Sequence, residues 1–304
     1  MKLLAAAPRA LTPLAVVATV LALIAPSSAV ADRSDLLLAA LVLATALGIS
    51  GSDLLDLRRH AVAVAVLSIA PLIVLTAVAW GLGRAFDTST RDGLLAVGLS
   101  SAEVASVGLT ALAGADATIA LGAVTGSLVL SALLGPIAIG WLSGDQGGRG
   151  GSGHLLVRFA LVVILPLIVG VAIRSVAAAG RWLQAHDNER DGVAALVVVV
   201  LVYAALSGTD GAHGLGAALI AGVAFLIVSA ALAALWRGRP LGAETAVPGA
   251  LTIAMRDFAV AAALASQAFG NRAAAVPGVY GVVMLLAGSA FVARVRSSRA
   301  EVRT

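Results

Sequence analysis

Long apolar runs, separated by short polar turns, organise the chain. Ten of them approach the roughly 20 residues that a helix needs to cross a hydrocarbon core: 10–31, 35–50, 61–82, 92–113, 117–142, 154–176, 192–207, 213–236, 248–269 and 276–294. Two runs carry ionisable residues in mid-span. Residues 92–116 hold Glu103 at their centre, flanked by Ser100, Ser101 and Ser106, and residues 248–270 hold Arg256 and Asp257. A charge at a helix centre costs about 2.5–3.5 kcal/mol on insertion, so by default it marks a function. The two spans are expected to cross near the middle of a transporter and hold its substrate.

Composition makes the membrane assignment general. Hydrophobic residues form 60% of the chain and charged residues 12%, with mean hydropathy +1.03, whereas a soluble domain is about 25% charged. The lipid bilayer is therefore the first partner. Of the 20 basic residues, 13 fall on the side of the two termini, six on the opposite side, and Arg256 inside a span. The positive-inside rule puts both termini in the cytoplasm of a multi-pass protein of the inner (plasma) membrane. Lys2, Arg9, the apolar run and Ala29-Val30-Ala31 have the form of a cleaved signal peptide. The run from Leu11 to Pro26 is long for a signal core, so it is read as a retained first helix.

The centre of the chain looks like a linker. Residues 144–153, GDQGGRGGSG, contain six glycines and predict flexibility, separating a first five-span repeat (1–143) from a second (154–304). Ser50-Gly51-Ser52-Asp53 closes span two as Ser207-Gly208-Thr209-Asp210 closes span seven, and charged spans four and nine correspond in the same register. An odd number of spans per half makes the halves inverted. Inverted repeats with helices interrupted at matching positions point to a transporter's binding site.

Several chemistries have no residues to carry them. The absence of cysteine removes disulfides, thiolate metal sites and cysteine nucleophiles. No basic run interleaves with aromatics, which argues against nucleic acid. His60, His154, His186 and His213 fall in loops or at span ends, without a spacing that gathers them on a metal. No nucleotide loop, catalytic triad or haem motif is present, so neither an enzyme nor a cofactor is expected.

The mid-span charges admit three readings. Arg256 pairs with Glu103 or Asp257 and pins the crossing; Arg256 grips an anionic substrate through its fork; or Glu103 or Asp257 carries a coupling proton. Arg256 and Asp257 point about 100° apart on a regular helix, so both face one cavity only if the helix is interrupted. Glu103 and Ser106 share a helix face. Ser100 and Ser101 suit either freed backbone groups or close helix packing. Thr125 and Ser127 are expected to serve packing, Asp116 to cap a turn, and Pro71, Pro136 and Pro166 to kink their spans. Arg181 to Asp191 reads as a solvated loop.

The order and spacing of four short motifs resemble the bile acid:sodium symporter family. They are Ala46-Leu47-Gly48-Ile49 followed by Asp53, Leu54 and Leu57; Glu103-Val104-Ala105-Ser106-Val107 with Leu112-Ala113-Gly114-Ala115-Asp116; Ile164-Leu165-Pro166-Leu167-Ile168-Val169-Gly170; and Met255-Arg256-Asp257 with Ala261-Ala262-Ala263-Leu264-Ala265. The resemblance implies an all-α integral membrane protein of about ten transmembrane helices in two inverted five-helix repeats. Broken helices four and nine would cross in a core domain beside a panel domain. It also implies secondary transport of organic anions, often coupled to sodium. The family's sodium ligands are largely replaced here: Ser106 remains, but Val107 stands for an Asn, Thr252 for a Glu and Arg256 for a Gln, and a fixed cation repels sodium. The expected function is alternating-access transport of a small organic anion, with a proton favoured over sodium for coupling. Its site residues are Glu103, Ser106, Arg256, Asp257, Ser100, Ser101 and Thr252. The alternative is a non-transporting receptor or assembly subunit on the same fold, with Glu103–Arg256 as a structural latch. No oligomeric state follows from the pattern.

Overall fold

The computed structural model describes residues 11–49, 57–142, 151–207, 212–236 and 241–301. Among these residues all the regular elements are helical. In chain order they are α1 (Leu11–Ile24), α2 (Ser28–Ala31), α3 (Ser34–Ala46), α4 (Ala61–Gly83), α5 (Thr88–Leu99), α6 (Ala105–Leu112), α7 (Ala117–Leu142), α8 (Gly151–Phe159), α9 (Leu165–Ser175), α10 (Ala177–Ala185), α11 (Asp187–Ser207), α12 (Ala212–Trp236), α13 (Ala246–Ala254), α14 (Phe258–Ala268) and α15 (Ala275–Glu301).

Six helical stretches are long and apolar enough to cross a membrane: Leu57–Gly83, Ala117–Leu142, Gly153–Ser175, Asp187–Ser207, Leu215–Trp236 and Ala275–Val295. The other four predicted spans are shorter or interrupted, each for a local reason. The first divides into α1 and α2 at Pro26, which lacks an N–H and pushes Ala25 out of helical geometry. The second shortens to α3, thirteen residues long. The fourth divides into α5 and α6, and the ninth into α13 and α14. Large apolar side chains such as Leu36, Val62 and Leu235 lie on the outer surface, about 70% exposed. Water would penalise that belt and lipid does not.

Proline acts differently in the three spans that contain it. Pro71 and Pro136 sit inside the continuous helices α4 and α7. Pro166 follows a π-helical stretch, Ala160–Ile164, between α8 and α9. A proline has no N–H for the carbonyl one turn back, and widening the ladder to a π turn absorbs the mismatch.

Two readings of connecting segments change. The stretch from Arg181 to Asp191 is no loop: α10 covers its first half and the first turn of α11 the second, where Asp187 and Glu189 suit a helix N-terminus. Of the glycine-rich 144–153, residues 151–153 begin α8, and the remainder lies outside the described residues. The Ser50–Asp53 and Gly208–Asp210 motifs lie outside them as well.

Polar contacts tie together span ends that the charge pattern places on one side. His60 lies 3.5 Å from Asp116, and Arg190 pairs with Asp187 at 2.7 Å while reaching the Leu47 carbonyl at 3.5 Å. Asp116 also accepts from the Thr118 amide at 2.8 Å, the capping role expected of it. Asp87 caps α5 through the amides of Ser89 and Thr90. The Thr90 hydroxyl, and then these amides, hold the Asp87 carboxyl below the usual carboxylate range.

Candidate functional site

The two interrupted helices meet at their breaks. Residues 100–104 separate α5 from α6, and residues 255–257 separate α13 from α14. Ser100, Met255 and Asp257 are all extended, and Ala102 pairs with Arg256 in an isolated antiparallel bridge. The Glu103 amide donates to the Met255 carbonyl at 3.0 Å, and the Asp257 amide donates to the Ser101 carbonyl at 2.8 Å. Each break thus supplies the backbone partner that the other lost when its helix stopped.

A break inside a membrane leaves further N–H and C=O groups that water cannot satisfy. Hydroxyls from neighbouring helices take them up. Ser127 of α7 accepts from the Ala102 amide at 2.9 Å, and Ser131, one turn along, donates to the Leu99 carbonyl at 2.6 Å. Tyr280 of α15 accepts from the Arg256 amide at 3.0 Å and donates to the Ala254 carbonyl at 3.1 Å. Ser229 of α12 donates to the same carbonyl at 3.2 Å. None of the four stood among the expected site residues. Ser127, expected to serve packing, instead reaches the crossing. The legible signal was slight: two serines one turn apart in an apolar span, and one of only two tyrosines in the chain.

Ser127→Ala leaves the Ala102 amide buried without a partner. It is expected to cost about 1–3 kcal/mol, read as a lowered unfolding temperature in detergent. Ser175→Ala, at an exposed serine bonded within its own helix, should stay within about 0.5 kcal/mol. Equal effects for the two variants would remove Ser127 from the crossing.

The expected site residues divide into those that build the crossing and those left with spare bonding capacity. Asp257 builds: one carboxylate oxygen caps α14 through the Ala259 and Val260 amides at 2.9 and 3.0 Å, and the other accepts from the Ser101 hydroxyl at 3.5 Å. Ser100 donates to the Val97 carbonyl at 2.8 Å, within the last turn of α5. Thr252 spends its hydroxyl within α13, on the Pro248 and Gly249 carbonyls. Glu103 stands in the break, ahead of the helix that it was expected to share with Ser106. One of its oxygens takes the Ala105 amide at 3.5 Å, and Oε2 has no partner. The Ser106 hydroxyl is buried and equally unpartnered.

Arg256 is the largest side chain with no exposed surface. Its Nη2 donates to the Gly98 carbonyl near the end of α5 at 3.5 Å, while Nε and Nη1 find no acceptor. No ion pair joins it to Glu103 or Asp257, so the Glu103–Arg256 latch is not formed in this structure. The charges rest on helix ends instead. Asp257 and Glu103 sit at the N-termini of α14 and α6, and Arg256 near the C-terminus of α5, each at the end whose dipole favours it. Four of the seven unpartnered buried polar atoms among the described residues belong to Glu103, Ser106 and Arg256. Such atoms are costly, and these four gather at one crossing.

The residues do not fit a sodium ion by the route the resemblance implied. Val107 offers no oxygen, the Thr252 hydroxyl is spent within its helix, and the Arg256 cation occupies the crossing. Among the described residues, no three His, Asp or Glu side chains gather on a metal site.

A search of curated proteins returned no match. A family model does match, over residues 10–287, nearly the whole chain. The expected kinship with the bile acid:sodium symporter superfamily is thereby shown: the chain belongs to the SBF-like CPA transporter family.

Proposed function

We propose that this protein is a secondary active transporter that moves a small organic anion by alternating access. One observation carries the reading: a fully buried guanidinium lies where two interrupted helices pair, with two of its nitrogens unpartnered. An arginine that served structure alone in a membrane would have its donors met by carboxylates or backbone carbonyls, and two nitrogens of Arg256 meet neither. Here both nearby carboxylates are held by helix amides, and the fork keeps donors for an anionic guest. The occluded guanidinium fits an intermediate state of the cycle, with substrate access following from movement at the crossing. Glu103, with one free oxygen, and Asp257, which also caps α14, are the groups assigned to proton coupling.

Proteoliposomes offered a panel of labelled organic anions, under a proton gradient or a sodium gradient alone, test the coupling. Accumulation is expected under the proton gradient only, and Glu103→Gln should abolish that dependence. Accumulation driven by sodium and indifferent to pH would overturn proton coupling. The double variant Glu103→Arg with Arg256→Glu addresses the receptor or assembly-subunit alternative. A latch tolerates the swap, whereas a transport site loses uptake.

A further inference from the structure

Three helix ends that are distant in sequence converge on one carboxylate. Asp35 lies in the first turn of α3, Arg158 in the last turn of α8, and Gln267 in the last turn of α14. Arg158 holds Asp35 Oδ2 through Nε at 2.8 Å and Nη2 at 2.5 Å. Gln267 Nε2 donates to Asp35 Oδ1 at 2.6 Å. Both carboxylate oxygens are thus engaged, by different helices. Gln267 is only 8% exposed, and its own carbonyl oxygen has no partner. Its amide is held by the Asp35 bond alone.

The hub stands where a passage narrows. On one side is a polar cavity of about 170 Å³, lined by Asp32, His154 and Asn271 together with the three hub residues. It continues through shared walls at Ala31, Ser34, Ser266 and Asn271 into a void of only about 10 Å³ between α11 and α14. Ala204, Ala205 and Ala262 line that constriction. Small side chains let helices approach until no channel remains. Ala262 lies between Gln267 and Asp257 on α14. The helix is therefore a rod about 16 Å long, with the crossing at one end and the hub at the other.

We propose that Asp35, Arg158 and Gln267, with the alanine seam beneath them, form a gate that closes the path to the Arg256 crossing at this end of the bundle. This rests on the transport reading above. Opening requires α14 to part from α3; among the described residues the side-chain hydrogen bond across that seam is Gln267 to Asp35, and Arg158 of α8 holds Asp35 in place for it. Hydrogen bonds to an ionised carboxylate are strong and short-ranged, so the hub holds the closed state firmly and releases it over a small displacement.

The chain contains no cysteine, so a single introduced thiol reports access without background. In membrane vesicles, Ala262→Cys is expected to react slowly with a membrane-impermeant maleimide. Asp35→Asn and, separately, Gln267→Met should each raise that rate about tenfold or more, the factor one charge-assisted hydrogen bond supplies. Ala120→Cys, fully buried on α7, should stay unreactive in the same backgrounds. An unchanged rate at Ala262→Cys overturns the gate. So does a parallel rise at Ala120→Cys, which would make the hub a general stabiliser. If Asp35→Asn does not fold, Gln267→Met, which cuts the same α14–α3 bond from its other side, carries the test. Labelling needs no substrate. A failed uptake assay with a responding thiol would therefore strike the transport reading and leave the gate standing.

Discussion

Arg256→Gln is expected to lower anion uptake into proteoliposomes by about two orders of magnitude while leaving the protein as stable as before, or more so. The two halves of this expectation have different causes. Charge-assisted hydrogen bonds contribute about 1.5–3 kcal/mol each, and about 1.4 kcal/mol is a factor of ten. Losing a fork with two free donors removes, at the low end of that range, about 3 kcal/mol, or about a hundredfold in affinity or rate. Stability behaves otherwise because the residue is joined to the crossing by its backbone. The Ala102–Arg256 bridge and the amide bond to Tyr280 do not involve the guanidinium. Removing a buried cation that lacks an ion-pair partner also relieves a desolvation cost. Arg256→Lys keeps the charge and loses the planar fork, so it should recover only part of the activity. Wild-type uptake by Arg256→Gln would end the anion-binding reading. A large fall in unfolding temperature would return the arginine to a structural role.

Tyr280→Phe should produce the largest structural effect of any single-atom deletion at the crossing. The ring stays packed edge-on against Phe225, at a centroid separation of 5.8 Å. Only the hydroxyl leaves, and with it the acceptor of the Arg256 amide and one of two donors to the Ala254 carbonyl. An orphaned buried amide costs about 1–3 kcal/mol in a protein interior and more where lipid surrounds it. Ser229→Ala removes the other donor to Ala254 but leaves Tyr280 in place, so its cost should stay below about 1 kcal/mol. The double variant strands the carbonyl as well and should exceed the sum of the singles. Thermal unfolding in detergent gives the energies, and hydrogen exchange at the Arg256 amide gives the site. An exchange rate unchanged in Tyr280→Phe would show that the hydroxyl does not hold that amide.

That the two charged spans are broken was implied by the family resemblance, and the local causes of the breaks are visible in the residues around them. Serines 100 and 101 compete with the helix for its backbone groups, and Asp257 is a strong N-cap residue. Glu103 and Arg256 announce themselves because few charges survive in mid-membrane. The assignment of spare and engaged groups was not legible. Asp257 looked like a coupling carboxylate and proves also to be a cap. Thr252 looked like an ion ligand and bonds within its own helix. Arg256 could have paired with Glu103 or Asp257, and instead rests near the end of α5. Each outcome depends on which way a side chain turns once a second helix is in place.

The sequence by itself determined that this is a multi-helix membrane protein of a transporter family, with two charged and interrupted spans at its centre. Hydropathy, proline and capping act within a few residues, so a linear reading suffices for them. Only the tertiary structure decided which hydroxyls complete the crossing, that its charges lean on helix ends, and that Asp35 joins three helix ends. Ser127 lies 25 residues from the amide it serves, Ser101 lies 156 from Asp257, and Gln267 lies 232 from Asp35. Such partnerships are set by how helices pack against one another, and packing is a property of surfaces that no single stretch of chain contains.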